Sequence, residues 1–140
     1  MTSVAEGHVL HALGHLMMES RDLVLAHGEP GLRPSHHRVI GQVPREGISV
    51  TDLADRVGMT KQGIGQFVSQ LTASGHLTVS PHPEDRRVRV VRRTAKGDDA
   101  ERRLGDLLEG LEVEWANRVG TQRYQAFRDT LEEIAGERGQ

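Results

Sequence analysis

Arginine side chains are concentrated in one short segment of this 140-residue chain. The segment "SPHPEDRRVRVVRRTAKG", residues 80–97, contains Arg86, Arg87, Arg89, Arg92, Arg93 and Lys96. The whole chain nevertheless has a formal net charge of -2 at pH 7. A guanidinium stays protonated at physiological pH and forms paired hydrogen bonds with phosphate oxygens. The chemistry that this segment favours is therefore the binding of a phosphate-bearing polyanion.

The charges are also sorted along the chain. Residues 34–97 contain ten basic and five acidic side chains, a net charge of +5, whereas residues 98–140 contain six basic and eleven acidic ones, a net charge of -5. Such an asymmetry suits a molecule that presents one face to a polyanion and turns another face away from it. The alternative is that both regions are solvated surfaces of a nearly neutral domain.

A second group of candidate residues lies on two short helices that precede the basic segment. Ser49 and Asp52 form a capping-box pattern at the start of the first helix, and Gly58 ends it. Thr60 can cap the second helix, which has an apolar face and an uncharged polar face. The apolar face is formed by Ile64, Phe67, Val68 and Leu71, and the polar face by Gln62, Gln66 and Ser69. The pattern predicts a helix-turn-helix, although two packed helices with a glycine turn also occur in other helical proteins.

Histidine offers a different chemistry near the start of the chain. His8, His11 and His15 recur at helical spacing, so two or three imidazoles can share one face and bind a metal ion. No HExxH, GxSxG or phosphate-binding glycine motif accompanies them, which argues against a metal hydrolase and against enzymes in general. A metal-responsive regulator that uses these histidines remains an alternative, beside histidines that are merely exposed or lie at an interface.

Hydrophobic periodicity supplies the remaining elements. A long amphipathic helix is predicted over residues 5–27, followed by the breaking sequence "HGEPGLRP" and a short helix over residues 35–43. "LTVS" and "VRVVR", joined by "PHPEDRR", predict a two-stranded hairpin. Two further helices carry apolar stripes, one formed by Leu104, Leu107, Leu108, Leu111 and Trp115 and the other by Tyr124, Phe127, Leu131 and Ile134. The fold class predicted is mainly α with a small β-hairpin wing, a winged helix-turn-helix.

The sequence from Val50 to Gly97 resembles that of MarR-family transcription regulators. The resemblance rests on the combination of "LADRVGMTK", the wing motif "DRR" at Asp85, Arg86 and Arg87, and the "T.KG" motif that begins at Thr94. Looser similarity extends over the whole chain. Two positions depart from the family pattern, because His82 stands where aspartate is common and Arg93 where leucine is usual.

The resemblance implies a set of DNA contacts. Arg87 is expected to enter the minor groove, Asp85 to orient its guanidinium, and Arg86 to contact phosphate. The polar helix face provides the other DNA-binding candidates, of which Gln62 and Gln66 can pair with adenine and Lys61 lies at a helix N-terminus that favours phosphate. The full expected set is Thr60, Lys61, Gln62, Gln66, Ser69, Asp85, Arg86 and Arg87.

The chain is expected to form one domain over residues 1–140, with dimerisation helices in residues 1–33 and 98–140 and the DNA-binding part in residues 34–97. A single small winged domain cannot cover the apolar stripes, so a twofold homodimer is predicted, unless the stripes pack on their own protomer. The partners expected are duplex DNA with a near-palindromic operator and, by resemblance, a small aromatic or phenolic effector, with repression as the activity.

Composition excludes several other classes. The chain contains zero cysteines, so thiolate zinc sites, disulfide scaffolds and thiol redox sensing are ruled out. Aromatic residues form 3% of the chain and none lies within the basic segment, which disfavours single-stranded nucleic acid. No apolar run reaches membrane-spanning length, and neither a cofactor nor a membrane partner is expected, so the cytoplasm is the predicted location. An architectural winged-helix protein without ligand control remains an alternative.

Overall fold

Helices dominate the computed structural model, which describes residues 7–136. The elements in chain order are α1 (Val9–His27), α2 (Pro34–Gly41), β1 (Ile48–Ser49), α3 (Val50–Val57), α4 (Lys61–Ala73), β2 (Leu77–Pro81), β3 (Arg89–Arg93), α5 (Ala95–Val119) and α6 (Thr121–Gly136). The predicted order of helices and wing is confirmed. The long first helix begins at Val9, and the part of the prediction that falls on residues 5 and 6 lies outside the described residues.

Side-chain caps fix the boundaries of the helix-turn-helix. Ser49 Oγ accepts a hydrogen bond from the Asp52 backbone N–H at 3.1 Å, which begins α3. Gly58 ends α3 in the left-handed conformation, with φ of 76°, which glycine adopts without a steric penalty. Thr60 Oγ1 then accepts from the Gly63 N–H at 3.0 Å and begins α4. Each of these boundaries was predicted from the sequence.

The wing belongs to a three-stranded antiparallel sheet of order β1-β3-β2, rather than to a simple hairpin. Ile48 and Ser49 of β1 pair with Val91 and Val90 of β3. The prediction of two strands was therefore incomplete. A two-residue strand is too short to show the alternation of polar and apolar residues by which strands are recognised.

The hydrophobic core lies inside the winged helix-turn-helix. Its largest fully buried side chains come from α2, α3, α4 and the sheet: Val39, Ile40, Val43, Leu53, Ile64, Leu71, Leu77 and Val91. The terminal helices add little, since α1 and α5 bury only a few residues and α6 buries none within the described chain. Apolar side chains that stay exposed on α1, α5 and α6 include Leu10, Met17, Leu108, Val113, Phe127, Leu131 and Ile134.

Helix α6 is attached to α5 through polar contacts. The Tyr124 hydroxyl donates a hydrogen bond to Glu112 Oε1 at 2.7 Å, and the Arg128 guanidinium lies 3.8 Å from the same carboxylate. Burial, and then this hydrogen bond, raises the pKa of Tyr124 to about 12. The phenol therefore stays protonated, and so keeps donating, throughout the physiological pH range.

The "T.KG" motif holds the end of α4 against the start of α5. Thr94 Oγ1 donates to the Gly75 carbonyl and accepts from the Gly97 N–H, and Lys96 Nζ donates to the Ser74 carbonyl at 2.8 Å. Gly97 packs so closely that a Cβ built there would lie 2.2 Å from the His76 carbonyl oxygen. The motif therefore joins the end of α4, the wing and the start of α5.

We expect Gly97→Ala to lower the free energy of unfolding by about 1–3 kcal/mol, because the new methyl group must displace a backbone carbonyl. The matched control is Gly105→Ala in the same helix, where an added Cβ meets nothing within 4 Å. There the higher helix propensity of alanine should raise stability by up to about 1 kcal/mol. Urea unfolding at one fixed protein concentration measures both, and equal effects of the two substitutions would contradict the close packing.

Candidate nucleic-acid interface

Helix α4 presents a polar face to solvent. Lys61, Gln62, Gln66 and Ser69 are exposed, whereas Ile64, Val68 and Leu71 on the opposite face are buried against the core. This division follows from the 3.6-residue period of the helix, which the sequence already displays. The face combines amide groups that can pair with base edges with a helix N-terminus that attracts phosphate.

Thr60 stands at the N-terminal end of this face. Its hydroxyl oxygen accepts from the Gly63 N–H at 3.0 Å, so one of its lone pairs is used in capping the helix. The hydroxyl hydrogen can still be donated to an incoming acceptor. Thr60 therefore has a structural task that does not prevent the DNA contact expected from the sequence.

The wing turn holds Asp85 and Arg87 together. Asp85 Oδ1 accepts from the Arg87 backbone N–H at 3.1 Å and from Arg87 Nε at 3.2 Å. The Arg87 side chain remains 91% exposed, so its outer nitrogens face solvent. This geometry matches the orienting role expected of Asp85, while entry of Arg87 into a minor groove stays a prediction. Arg86 is also exposed beside it.

His82 accounts for one departure from the family pattern. Its Nδ1 accepts from the Glu84 N–H at 3.0 Å, and its backbone N–H donates to the Val88 carbonyl at 2.7 Å. A ring nitrogen thus makes the local bond to a backbone N–H two residues ahead that an aspartate oxygen makes in an Asx turn. At the second departure, Arg93 Nε lies 3.3 Å from Asp98 Oδ1, so a charge pair joins the wing to the first turn of α5.

Arg89 lies between the polar face of α4 and the wing turn. It lines a groove of about 600 Å³ together with Ser69, Thr72 and Val79, and it also lines a smaller depression with Arg86 and Arg87. Arg89 was identified in the sequence as part of the basic segment but was not among the expected DNA contacts. Its alternation with valine was visible, but the sequence does not show which side of the strand faces α4.

The positive charge of the wing is only partly neutralised within the protomer. Of its arginines, Arg87 and Arg93 have carboxylate partners. Within residues 7–136, Arg86, Arg89 and Arg92 form no ion pair, and Arg92 Nη1 instead donates to Ser80 Oγ at 3.1 Å across the strands. A surface of this kind attracts polyanions and binds them with a marked dependence on salt.

The sequence of this region is similar to those of known proteins. Residues 31–88, from the approach to α2 through the wing turn, match the model of the MarR family. The HTH-type transcriptional regulator PetP of Rhodobacter capsulatus is 33% identical over 100 residues, which cover 70% of this chain and 60% of PetP. The chain thus contains a winged helix-turn-helix of the MarR family. It spans about 60% of the length of this curated relative.

Solved structures with a similar fold extend over nearly the whole chain. The PcaV transcriptional regulator from Streptomyces coelicolor, in complex with its natural ligand, superposes with a TM-score of 0.72 at 22% identity over 97% of this chain and 98% of PcaV. The transcriptional repressor CouR bound to a 23-mer DNA duplex gives 0.74 at 21% identity over 91% of this chain and 92% of CouR. At these identities the likeness is one of fold. The family agrees with the prediction of a regulator rather than an enzyme.

Within residues 7–136, the N-terminal histidines do not form the metal site considered from the sequence. The Nε2 atoms of His11 and His15 lie 3.2 Å apart, and their rings meet edge to face. His8 precedes the first residue of α1 and is exposed. Throughout residues 7–136 there is no group of three or more side chains able to hold a metal ion. Helical spacing thus brought the rings of His11 and His15 together but added no third ligand within the described residues.

A cavity of about 420 Å³ lies between α1, α2 and α5. Its walls are mainly apolar but include three basic side chains, Arg21, His37 and Arg38. The other lining residues are Met17, Met18, Ser20, Val24, Pro34, Leu104 and Leu108. His37 is buried and its Nδ1 lies 3.0 Å from Glu101 Oε1, while its Nε2 has no hydrogen-bond partner in the described chain. Nothing in the sequence indicates this site, because its residues come from three different helices that only the fold brings together.

None of the helices within residues 7–136 is both long and apolar enough to cross a membrane.

Proposed function

We propose that this chain is a transcription repressor that binds duplex DNA as a homodimer and responds to a small ligand. The observation that carries the proposal is the pairing of an exposed polar helix face on α4 with an arginine, Arg87, that Asp85 holds at the tip of a basic wing. These two features supply the two kinds of contact that sequence-specific binding requires, base reading and backbone positioning.

Helix α4 would lie in the major groove. Gln62 and Gln66 can each donate and accept a hydrogen bond with one adenine, and Lys61 can contact phosphate at the N-terminus of the helix. The wing would follow the backbone, with Arg86 and Arg89 on phosphates and Arg87 in the minor groove, where the negative potential is strongest. The fold that this chain shares with CouR, a repressor solved on a DNA duplex, supports the proposal.

The homodimer is supported by the apolar side chains that the protomer leaves uncovered. Val9, Leu10 and Met17 of α1 and Leu131 and Ile134 of α6 belong to this surface, and α6 has no buried residue of its own. Exposed apolar area of this extent on terminal helices marks an interaction surface. Pairing across a twofold axis covers the same surface on both copies.

Response to a ligand is supported by the cavity between α1, α2 and α5. Its volume and its mainly apolar walls with a few polar groups are typical of sites for small molecules. PcaV, which has a similar fold, has been solved in complex with its natural ligand. We expect a small aromatic or phenolic compound in this cavity.

Arg87→Ala should weaken binding to any duplex by about 1.5–3 kcal/mol, because it removes a charge-assisted contact. The slope of log affinity against log salt concentration should fall by about 1. Arg103→Ala, which removes an exposed arginine from α5, is the matched control and should change neither value. Fluorescence anisotropy over a salt series measures both, and an unchanged slope for Arg87→Ala would reject its role.

Gln66→Ala should cost about 1–3 kcal/mol on the preferred site and almost nothing on unrelated DNA, because a bidentate contact to one base is lost. The preferred site is obtained first by selection from a random DNA pool. Equal losses on both DNAs would move Gln66 to a phosphate contact. Failure of the selection to yield any preferred sequence would favour the architectural alternative over a regulator.

Leu131→Asp should break the dimer, because burying an unpaired carboxylate in an apolar interface costs several kcal/mol. Gln122→Glu adds a carboxylate at an exposed position on the opposite face of the same helix and should leave the dimer intact. Sedimentation velocity beside a DNA titration should show dimer and operator affinity falling together, since one half-site offers few contacts. A monomeric variant that still binds the full operator tightly would show that α6 serves another purpose.

A further inference from the structure

Helix α1 carries two histidines one helical turn apart on its exposed face. His11 and His15 are both exposed, and their Nε2 atoms lie 3.2 Å apart. Residues four positions apart lie one above the other on the same face of a helix, which is why these two rings meet. From Val9 to Met18 the two imidazoles are the only side chains that can carry a charge, so no basic side chain of this segment repels a cation.

The separation of the two ring nitrogens fits a single metal ion. An imidazole nitrogen binds Zn²⁺ at about 2.0–2.1 Å. Two such bonds that start from atoms 3.2 Å apart enclose an angle of about 100° at the ion, close to that of a tetrahedral site. The rings meet edge to face, and rotation about χ2, which has a broad energy profile in histidine, turns both lone pairs toward one point.

The start of α1 gains stability from a link between its first two turns. Within residues 7–136, no side chain caps the helix at His8, and the first turn contains no acidic residue. A Cβ built on Gly14, between the two histidines, meets nothing within 4 Å, so this glycine lowers helix stability without a packing reason. A metal ion held by residues 11 and 15 joins the first turn to the second and compensates for these weaknesses.

We propose that His11 and His15 chelate one divalent first-row metal ion, such as Zn²⁺ or Ni²⁺, on the surface of α1. No third histidine, aspartate or glutamate joins them within residues 7–136, so water completes the coordination. The site therefore differs from the three-histidine site considered from the sequence, because part of its coordination stays open to solvent. Imidazole suits zinc, copper and nickel, whereas magnesium prefers oxygen ligands. This binding activity is independent of the proposed DNA binding.

Calorimetric titration of the chain with zinc chloride tests the proposal. The chain must carry no polyhistidine tag, because a tag would itself bind the ion. We expect one Zn²⁺ to bind per chain, Ni²⁺ to bind as well, and Mg²⁺ to give no binding heat. Absence of Zn²⁺ and Ni²⁺ binding would overturn the proposal. A ratio of one Zn²⁺ to two chains would overturn the open site, because the histidine pairs of two copies would then close one tetrahedron.

His11→Ala and His15→Ala should each weaken Zn²⁺ binding by about 100-fold or more. One helix gives the second imidazole a high effective concentration beside the ion, and either substitution removes this advantage. His27→Ala is the matched control. His27 is an exposed histidine of the same helix with no other histidine three or four residues away, so its loss should leave Zn²⁺ affinity unchanged. An equal loss in all three variants would reject the pair as the site.

A second control keeps the number of histidines but breaks their spacing. The double variant His15→Ala with Met18→His uses another exposed position of α1. Its two imidazoles are attached about 10 Å apart along the helix axis, too far for one ion. This variant should bind Zn²⁺ no more tightly than His15→Ala does. Binding as tight as that of the unaltered chain would overturn the chelate, because any two histidines on this surface would then suffice.

NMR of the unaltered chain decides the matter without any substitution, should a variant fail to fold. Zn²⁺ should shift the ring proton signals of His11 and His15 and leave those of the other histidines in place. It should also slow amide hydrogen exchange at His15, whose N–H belongs to the turn that the ion joins. Signals that shift only at other histidines, or exchange at His15 that stays unchanged with Zn²⁺ bound, would contradict a chelate across this turn.

Discussion

The start of α5 packs against the turn that ends α4. This contact connects the helix-turn-helix, the wing, α5 and the connection between α1 and α2. Thr94 and Lys96 donate hydrogen bonds to backbone carbonyls of this turn. Gly97 has no Cβ, so the backbone of α5 can lie directly against the His76 carbonyl. His76, in the same turn, lies 2.8 Å from Glu29 Oε1 in the connection between α1 and α2. One turn therefore fixes the recognition helix relative to the wing, to α5 and to the start of the DNA-binding part.

The wing shows how a chain of net charge -2 can carry a strongly positive surface. Its arginines are concentrated on β3 and the turn before it, while half of the acidic residues of the chain lie on α5 and α6. Asp85 also belongs to the wing, where its carboxylate is paired with Arg87 Nε while the rest of the Arg87 side chain stays exposed. The arrangement separates the charges in space, so that binding of a polyanion and association of the terminal helices need not interfere.

Helix α2 has a role that its eight residues do not suggest. Its apolar side chains fill the core, and its consecutive residues His36, His37 and Arg38 reach α4, α5 and α3. Because two of these three also line the cavity, a ligand there would act on contacts that already hold the DNA-binding helices. Arg38 thus lies both in the wall of the cavity and at the C-terminal end of α3.

The sequence by itself determined the local elements and the residues on their surfaces. Helix caps such as Ser49 and Thr60, the glycine at position 58 and the outward face of α4 depend on neighbours within a few residues, so their pattern is visible in one dimension. The contact between Asp85 and Arg87 was implied instead by the resemblance to the MarR family, and the structure contains it.

Tertiary structure decided the features that join distant parts of the chain. The two-residue strand β1 exists only because β3 offers it a partner, and Arg89 belongs to the candidate interface because the strand places it beside α4. The contact of Arg38 joins residues 19 positions apart and that of His37 joins residues 64 positions apart. The cavity is lined by residues of three helices. Such contacts leave no periodic signal, since each depends on how whole helices pack rather than on the spacing of residues within one.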